Sequence, residues 1–179
     1  VLKPHAKASV AALVRCGVKK VVMLTGDRKP VAQKVAADLG ISEVYSELLP
    51  SDKVSKVEEL LNHKKEKETL VFVGDGINDA PVLAGADVGA AMGSGADAAI
   101  EAADVVFMTS SVEAIPEAIT LAKETNRIAV QNVVFALATK AAVMILGLFG
   151  FANMWLAVFA DTGVAMLCVL NSIRSLRRK

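Results

Sequence analysis

Two kinds of hydrophobic pattern divide the chain near residue 126. Before that point short apolar runs alternate with segments of helical spacing, and after it two long segments are almost free of charge. Short apolar runs predict buried strands, and helical spacing between them predicts crossover helices. The long segments, Ile128 to Gly150 and Met154 to Leu170, are about long enough to cross a bilayer. We therefore predict an α/β part over residues 1–126 and a two-helix transmembrane hairpin over 127–179.

The α/β part has a regular order of elements. Strands are predicted at the short apolar runs 20–24, 43–46, 69–73, 87–92 and 104–108, and helices at 5–16, 29–39, 50–63 and 112–125. Gly17 and Gly40 are expected to end the first two helices, and Ser51 or Asp52 to cap the third. Strands that alternate with helices imply a parallel sheet with helices on both faces. Ligands of such sheets bind beyond the carboxyl ends of the strands.

Each apolar segment carries one ionisable residue near its centre, Lys140 in the first and Asp161 in the second. Such a group at the bilayer midplane costs about 2.5–3.5 kcal/mol on insertion scales. A partner or a transported ion offsets that cost. In a hairpin the two residues lie at similar depth, so we expect them to meet. The alternative role is an ion pair that only locks the hairpin.

Composition and charge support a membrane protein. The chain is 54% hydrophobic with a mean hydropathy of +0.47, which is high for a soluble domain of this size. Basic residues flank the hairpin at 123, 127, 174 and 177–179, whereas the turn at 151–153 has none. The positive-inside rule therefore places both ends, with residues 1–126, in the cytoplasm. The alternative is a buried helical hairpin of a large soluble protein. A net charge of +1 without a basic face argues against a nucleic-acid partner.

An acidic loop follows the clearest strand. Its sequence, Gly74 to Pro81, places Asp75 and Asp79 on either side of a turn that Gly76 permits. Two carboxylates beside a phosphate suit Mg²⁺, and Asn78 could bond the loop or a phosphate. The alternative is a plain turn followed by a helix that Asn78 caps.

Two further segments strengthen the functional interpretation. Thr25-Gly26-Asp27 follows the first strand, and Lys53 stands at the start of the third helix. A hydroxyl, an ammonium group and two carboxylates are the groups that hold a phosphoryl group and its metal.

These segments resemble the motifs of P-type ATPases, which belong to the haloacid dehalogenase superfamily. Residues 73–81 (VGDGINDAP) resemble their hinge motif, residues 25–27 their TGD motif and residues 50–53 their PxxK loop. Order and spacing match from about residue 3 to the C-terminus. The fold implied is a partial haloacid-dehalogenase-like α/β sheet, the C-terminal part of a phosphorylation domain, followed by the last two transmembrane helices.

The resemblance also implies site roles. Asp75 and Asp79 would position Mg²⁺, with Gly74, Gly76 and Asn78 supporting the phosphate loop. Thr25, Gly26 and Lys53 would contact the phosphoryl group of an aspartyl-phosphate, and Asp27 would lie at the edge of the nucleotide site. The ATP itself would be bound largely outside this chain.

Other motifs of the family are missing from the sequence. There is no DKTGT segment with the nucleophilic Asp, no TGE loop and no cysteine-containing metal motif. Because the family places these earlier in the chain, we expect the C-terminal portion of a pump, as a fragment or a truncated product, which is inactive alone. The absence of the strand that bears the nucleophile would open the sheet near its centre.

The two membrane segments resemble the zinc/cadmium/lead branch of heavy-metal P-type ATPases. In that branch Asp161, within Asp161-Thr162-Gly163, would bind the transported divalent ion, and Lys140 would be a counter-charge that favours its release. Cys168, seven residues after Asp161, is a weak ligand candidate. Asn132 and Thr139 are expected to form interhelical hydrogen bonds.

Three alternatives stay open from the sequence. A copper-exporting pump would be expected to show a Tyr-Asn pair and a Met-to-Ser pattern, neither of which is present. A membrane-tethered phosphatase of the same superfamily would also need an N-terminal Asp nucleophile. A non-catalytic fragment or subunit of a split pump would need the remaining part of the pump as its partner, together with the bilayer and the divalent ion.

Overall fold

The computed structural model describes residues 6–93, 96–109, 111–151 and 153–177. The chain forms two compact units, Val1–Glu117 and Ala118–Lys179.

The first unit is an α/β structure whose strands are all parallel. Its elements in chain order are α1 (Ala6–Arg15), β1 (Val22–Leu24), α2 (Lys29–Leu39), β2 (Glu43–Tyr45), α3 (Pro50–His63), β3 (Val71–Gly74), a 3₁₀ turn (Ile77–Asp79), α4 (Ala80–Gly85), β4 (Val88–Met92), α5 (Asp97–Ala102) and β5 (Val105–Phe107). The alternation predicted from the sequence is confirmed, with strands a few residues shorter than expected.

The strands form two sheets. β1 pairs with β2 in one, and β3, β4 and β5 pair in that order in the other. No ladder joins β1 to β3 among the described residues. This division agrees with the expectation that the sheet opens where the nucleophile-bearing strand would lie.

Helix ends follow glycine and backbone geometry. Gly17 and Gly40 have positive φ angles of 90° and 76°, the left-handed conformation that glycine adopts without strain. The predicted cap of α3 is wrong: the N-cap is Leu49, and the Asp52 carboxylate accepts a hydrogen bond from the Leu49 backbone N–H at 2.9 Å. The carboxylate acts from inside the first turn because Pro50 already occupies the first helical position.

The core of the first unit forms where α4 and α5 pack on β4. Leu83, Ala91 and Ala99 are fully buried and contact Phe72 and Ile100. A side chain at Gly89 would collide with the backbone of Leu83. The glycine thus lets α4 lie directly on the sheet, which fixes the loop that precedes this helix.

The second unit consists of long apolar helices. α6 (Ala114–Leu148) is continuous, so the two predicted segments 112–125 and 128–150 form one helix. The second segment contains α7 (Met154–Val158), a π-helical turn (Phe159–Gly163), α8 (Val164–Ser172) and a 3₁₀ turn (Ile173–Arg177). Ala114–Leu148 and Met154–Ser175 are long and apolar enough to span a membrane, and their most apolar windows are 0% and 11% buried. Exposed apolar helices of this length indicate a membrane protein rather than a soluble core.

Candidate functional site

The acidic loop is compact because two glycines leave room for Asp79. Gly74 ends β3, and a Cβ atom there would lie 2.8 Å from the Cβ of Asp79. A Cβ at Gly76 would lie 3.3 Å from Asp79 Oδ2, the atom that accepts the Gly76 N–H at 3.2 Å. The loop therefore folds back on the Asp79 side chain, and Gly74 is the position that cannot carry a larger residue.

Lys53 of α3 forms an ion pair with Asp79 of this loop. The Nζ atom lies 2.8 Å from Asp79 Oδ1, and the two side chains are only 19% and 11% exposed. Burial raises the cost of leaving either charge without its partner. The start of α3 is therefore tied directly to the start of α4.

The Thr25 loop is ordered by its own hydrogen bonds. Thr25 Oγ1 donates to Asp27 Oδ2 at 3.0 Å and accepts the Asp27 N–H at 3.1 Å. Gly26 lies close to the Leu48 carbonyl, and the Leu48 N–H donates to the Thr25 carbonyl at 3.1 Å. Leu48 directly precedes Leu49, the N-cap of α3, so these contacts tie the Thr25 loop to the start of the helix that carries Lys53. The three loops therefore form one connected region.

The two carboxylates of the acidic loop differ in environment. Asp79 is buried and bonded through both oxygens, whereas Asp75 is exposed directly after β3. Asn78 is exposed in the 3₁₀ turn, and the N-cap of α4 is Asp79, so Asn78 is not the cap. An exposed and a positioned carboxylate at a strand end are a donor set of hard oxygens, which fits Mg²⁺.

The second unit brings Lys140 and Asp161 together. Lys140 Nζ donates to Asp161 Oδ1 at 3.0 Å, as the sequence predicted for a hairpin. The two side chains are 55% and 77% exposed. Both line a groove of about 560 Å³ that also contacts Gly147, Ala157 and Ala160. Within this chain the pair therefore lies on the open side of the hairpin and is not sealed between its two helices.

A separate polar cluster lies away from this pair. Asn132 donates to the Cys168 carbonyl at 3.1 Å and to Ser172 Oγ at 2.9 Å, and it accepts from Asn171 Nδ2 at 2.8 Å. The interhelical role predicted for Asn132 is confirmed. For Thr139 it is wrong, since its hydroxyl donates to the Phe135 carbonyl of its own helix. Such a back bond satisfies a hydroxyl without a second helix.

Cys168 belongs to the polar cluster and not to the Asp161 site. Its thiol contacts the Asn132 carbonyl at 3.7 Å. Asn132 precedes Lys140 by eight residues, about 12 Å of helix rise. The structure thus does not bring Cys168 to the carboxylate. In the described part of the chain no cluster of three or more His, Cys, Asp or Glu side chains forms a metal site.

Sequence reasoning missed Asn171 and Ser172, which complete the cluster around Asn132. Both lie at the end of the second span, where polar residues usually face the headgroups. The signal available was their spacing of three and four residues after Cys168, which places them on one helix side.

The charged groups around Asp87 lie outside the site and stabilise a turn. The pKa of Asp87 is lowered because the Leu70 backbone N–H and then the Lys64 ammonium bond its carboxylate. Lys64 Nζ lies 2.6 Å from Asp87 Oδ2 and also donates to the Glu68 carbonyl. These bonds close the charged turn that connects α3, which carries Lys53, to β3, which leads into the acidic loop.

Comparison with known proteins agrees with this geometry. The family of haloacid dehalogenase-like hydrolases matches residues 1–87. A cadmium, zinc and cobalt-transporting ATPase of Bacillus subtilis (strain 168) is 54% identical over 99% of this chain and 26% of its own length. A zinc-transporting ATPase of Synechocystis sp. (strain ATCC 27184 / PCC 6803 / Kazusa) is 53% identical over 97% of the chain and 24% of its own length.

The fold is also shared with a solved pump. The crystal structure of a zinc-transporting PIB-type ATPase in the E2.Pi state has a TM-score of 0.91 and 40% identity, covering 99% of this chain and 28% of that chain. The chain thus spans about a quarter of the length of the relatives that it matches. These identities extend over almost the whole chain and agree with its parallel sheets and two apolar helices. The chain therefore belongs to the heavy-metal-transporting P-type ATPases of the haloacid dehalogenase superfamily.

Proposed function

We propose that this chain is part of an ATP-driven exporter of divalent heavy-metal ions that works through an aspartyl-phosphate. Residues 1–126 would be the C-terminal part of its phosphorylation domain, and 127–179 its last two membrane helices with a short tail. The observation that carries the proposal is the Lys140–Asp161 contact at 3.0 Å, within helices long enough to span a bilayer. The relatives support it by their names, which include cadmium, zinc and cobalt transport.

In the phosphorylation domain, Lys53 and Asp79 would have linked tasks. Asp79 holds the Lys53 ammonium at 2.8 Å, so the cation is fixed where the strand-end loops converge. A fixed cation stabilises the charge that develops on a transferring phosphoryl group without reorganisation. Thr25, with Gly26 beside the Leu48 carbonyl, would turn its hydroxyl proton from Asp27 Oδ2 to a phosphoryl oxygen. The Asp27 backbone N–H, which donates to Thr25 Oγ1 at 3.1 Å, would continue to hold the hydroxyl oxygen in place.

Mg²⁺ fits the acidic loop by its oxygen donors. Asp75 would bind it directly because its carboxylate is exposed at the end of β3, and Asp79 would use its remaining lone pairs. Gly74, Gly76 and Asn78 would keep the loop closed around these groups. When bound, the ion neutralises charge on the phosphoryl oxygens and helps to orient them. ATP would be bound largely by the part of the protein outside this chain.

The nucleophilic aspartate would come from a further strand. β1 and β3 both end at the proposed site and share no ladder among the described residues. A parallel strand between them would place an aspartate at its carboxyl end beside Lys53 and Asp75.

In the membrane, Asp161 would be a ligand of the transported ion. A carboxylate suits Zn²⁺, Cd²⁺ and Pb²⁺ better than Cu⁺, which prefers sulfur donors. Lys140 would compete with the ion for the same oxygen and so favour release. The protein would cross the membrane several times, with both ends of this chain in the cytoplasm, an orientation that the basic flanks favour.

The test is Asp161→Ala in the full-length ATPase that carries this chain, reconstituted in lipid. We expect Zn²⁺-stimulated ATP hydrolysis to be lost, because the ion loses its carboxylate ligand. Asp38→Ala removes an exposed carboxylate from α2 and should leave stimulation unchanged. Full Zn²⁺ stimulation in Asp161→Ala would refute the ligand role.

A further inference from the structure

The second membrane helix changes its winding at Asp161. A π-helical turn runs over Phe159–Gly163, with Asp161 as its middle residue. A π turn closes through a bond from residue i to i+5 and so contains one more residue than an α turn. Such turns are rare and occur frequently at functional sites. The apolar pattern of the segment does not predict it, so the turn needs a local cause.

The contact between Phe159 and Gly163 supplies that cause. A Cβ atom at Gly163 would lie 2.7 Å from Cδ2 and 2.9 Å from Cε2 of the Phe159 ring. These distances are shorter than real Cβ contacts. The ring therefore occupies the space that any side chain at position 163 would need. Only glycine allows the ring to lie against the closing residue of the turn.

The extra residue keeps the buried side of the helix continuous. Ala160 and Val164 are 5% and 1% exposed, and Leu156 and Cys168 continue the same side at intervals of four residues. In an α-helix three such intervals would drift by about 120°, because each residue turns about 100°. One additional residue in the π turn offsets about 100° of this drift. The packed side thus passes straight through the turn.

The same turn sets the direction of Asp161. The carboxylate follows Ala160 directly and lies at the edge of the buried side, where it reaches Lys140 Nζ and the groove. If the turn became α-helical, the residues on its two sides would rotate by about 100° relative to each other. Asp161 and the packed residues of α8 could then not keep their present directions together.

We infer that Gly163 is a positioning residue of the transported-ion site: its missing side chain admits the Phe159 ring, and the resulting π turn aims Asp161 at Lys140. The inference rests on the proposed role of Asp161 as an ion ligand. Gly163 itself does not touch the ion. Its substitution should therefore act on metal affinity through the ring, which a double-mutant cycle can measure.

The experiment measures the Zn²⁺ concentration that gives half-maximal ATPase stimulation in the full-length reconstituted protein. Gly163→Ala should raise it by at least about tenfold, the size expected when a ligand's support is lost. Phe159→Ala should also raise it, because it removes the ring whose fit against Gly163 holds the π turn. Once the ring is gone, Gly163→Ala should add no more than about twofold, since its collision is removed. Gly85→Ala is the matched control, because a Cβ there meets nothing within 4 Å.

Two results would overturn the inference. Gly163→Ala could cost the same factor in the Phe159→Ala background as in the wild type, which would show that the ring is not the cause. If Gly163→Ala alone fails to elute as a folded protein in size-exclusion chromatography, the double variant decides. It should fold like Phe159→Ala, and its failure to fold would count against the inference. Loss of the proposed function is seen separately, as full Zn²⁺ stimulation in Asp161→Ala.

Discussion

Substitution of Lys53 by Met tests the ion pair on which the phosphorylation site depends. The pair's Coulomb energy at 2.8 Å is about 6 kcal/mol at an effective dielectric constant near 20. Desolvation offsets much of this gain. Removal of one partner of a buried pair costs about 3–5 kcal/mol, because the other charge stays buried and uncompensated. Both side chains retain some exposure, so we expect about 3 kcal/mol, the low end of that range.

Amide hydrogen exchange of the full-length ATPase without Mg²⁺ measures the loss of local stability in the acidic loop. A local loss of about 3 kcal/mol accelerates exchange by about 150-fold, at about 1.4 kcal/mol per factor of ten. The effect should concentrate in peptides over residues 71–85, which include the Gly76 N–H that donates to Asp79. Lys19→Met is the matched control: Lys19 and Glu68 are also 2.8 Å apart, but the side chains are 74% and 31% exposed. The control should leave exchange unchanged.

A second variant tests whether the uncompensated charge of Asp79 is what destabilises the loop. Asp79→Asn added to Lys53→Met removes the buried charge but keeps an oxygen that can accept the Gly76 N–H. The double variant should therefore exchange more slowly than Lys53→Met alone. If Asp79→Asn adds to the damage of Lys53→Met, the uncompensated charge is not what destabilises the loop and the reasoning is refuted.

The remaining predictions concern the helical hairpin and the charged turn. Asn132→Ala should lower the thermal stability of the detergent-solubilised ATPase by about 1–2 kcal/mol, because its amide bonds cross between helices. Thr139→Ala is its control and should have almost no effect, since that hydroxyl bonds within its own helix; equal losses would contradict the assignment. Asp87→Ala should destabilise the turn at neutral pH by about 1 kcal/mol, because it removes the acceptor of the Leu70 N–H. Since the pKa of Asp87 is lowered from 3.8, this contribution is present above that pH and is lost as the pH falls through the folded-state pKa. A cost for Asp87→Ala that is the same at pH 7 and at pH 2 would contradict it.

Local pattern and turn chemistry predicted the five strands and the first three helices of the first unit, whereas α5 was not predicted and α4 followed only from the plain-turn alternative. The helix over 29–39 was predicted with its observed bounds, Lys29–Leu39, because Pro30 and Gly40 mark both ends. The cap of α3 was mispredicted, since a carboxylate near a helix start can accept from the residue before the helix as well as from its first turn. The pattern of residue types does not predict which backbone N–H such a carboxylate accepts from.

Pairing between distant elements was only partly accessible from the sequence. The contact of Lys140 with Asp161 followed from equal depth in a hairpin. The π turn did not, because it depends on the fit of one ring against one glycine. The division of the sheet into two was expected from the missing nucleophile-bearing strand, because pairing depends on which strands are present and not on the propensity of each strand.

We propose that the full-length protein moves divalent heavy-metal ions, with Lys140 and Asp161 at the membrane site. The direct measurement is ATP hydrolysis by the complete reconstituted ATPase as a function of added Zn²⁺, Cd²⁺, Pb²⁺ and Cu⁺. We predict stimulation by the divalent ions and none by Cu⁺, because a carboxylate without sulfur donors disfavours Cu⁺. Stimulation by Cu⁺ alone would contradict the assignment of the membrane site.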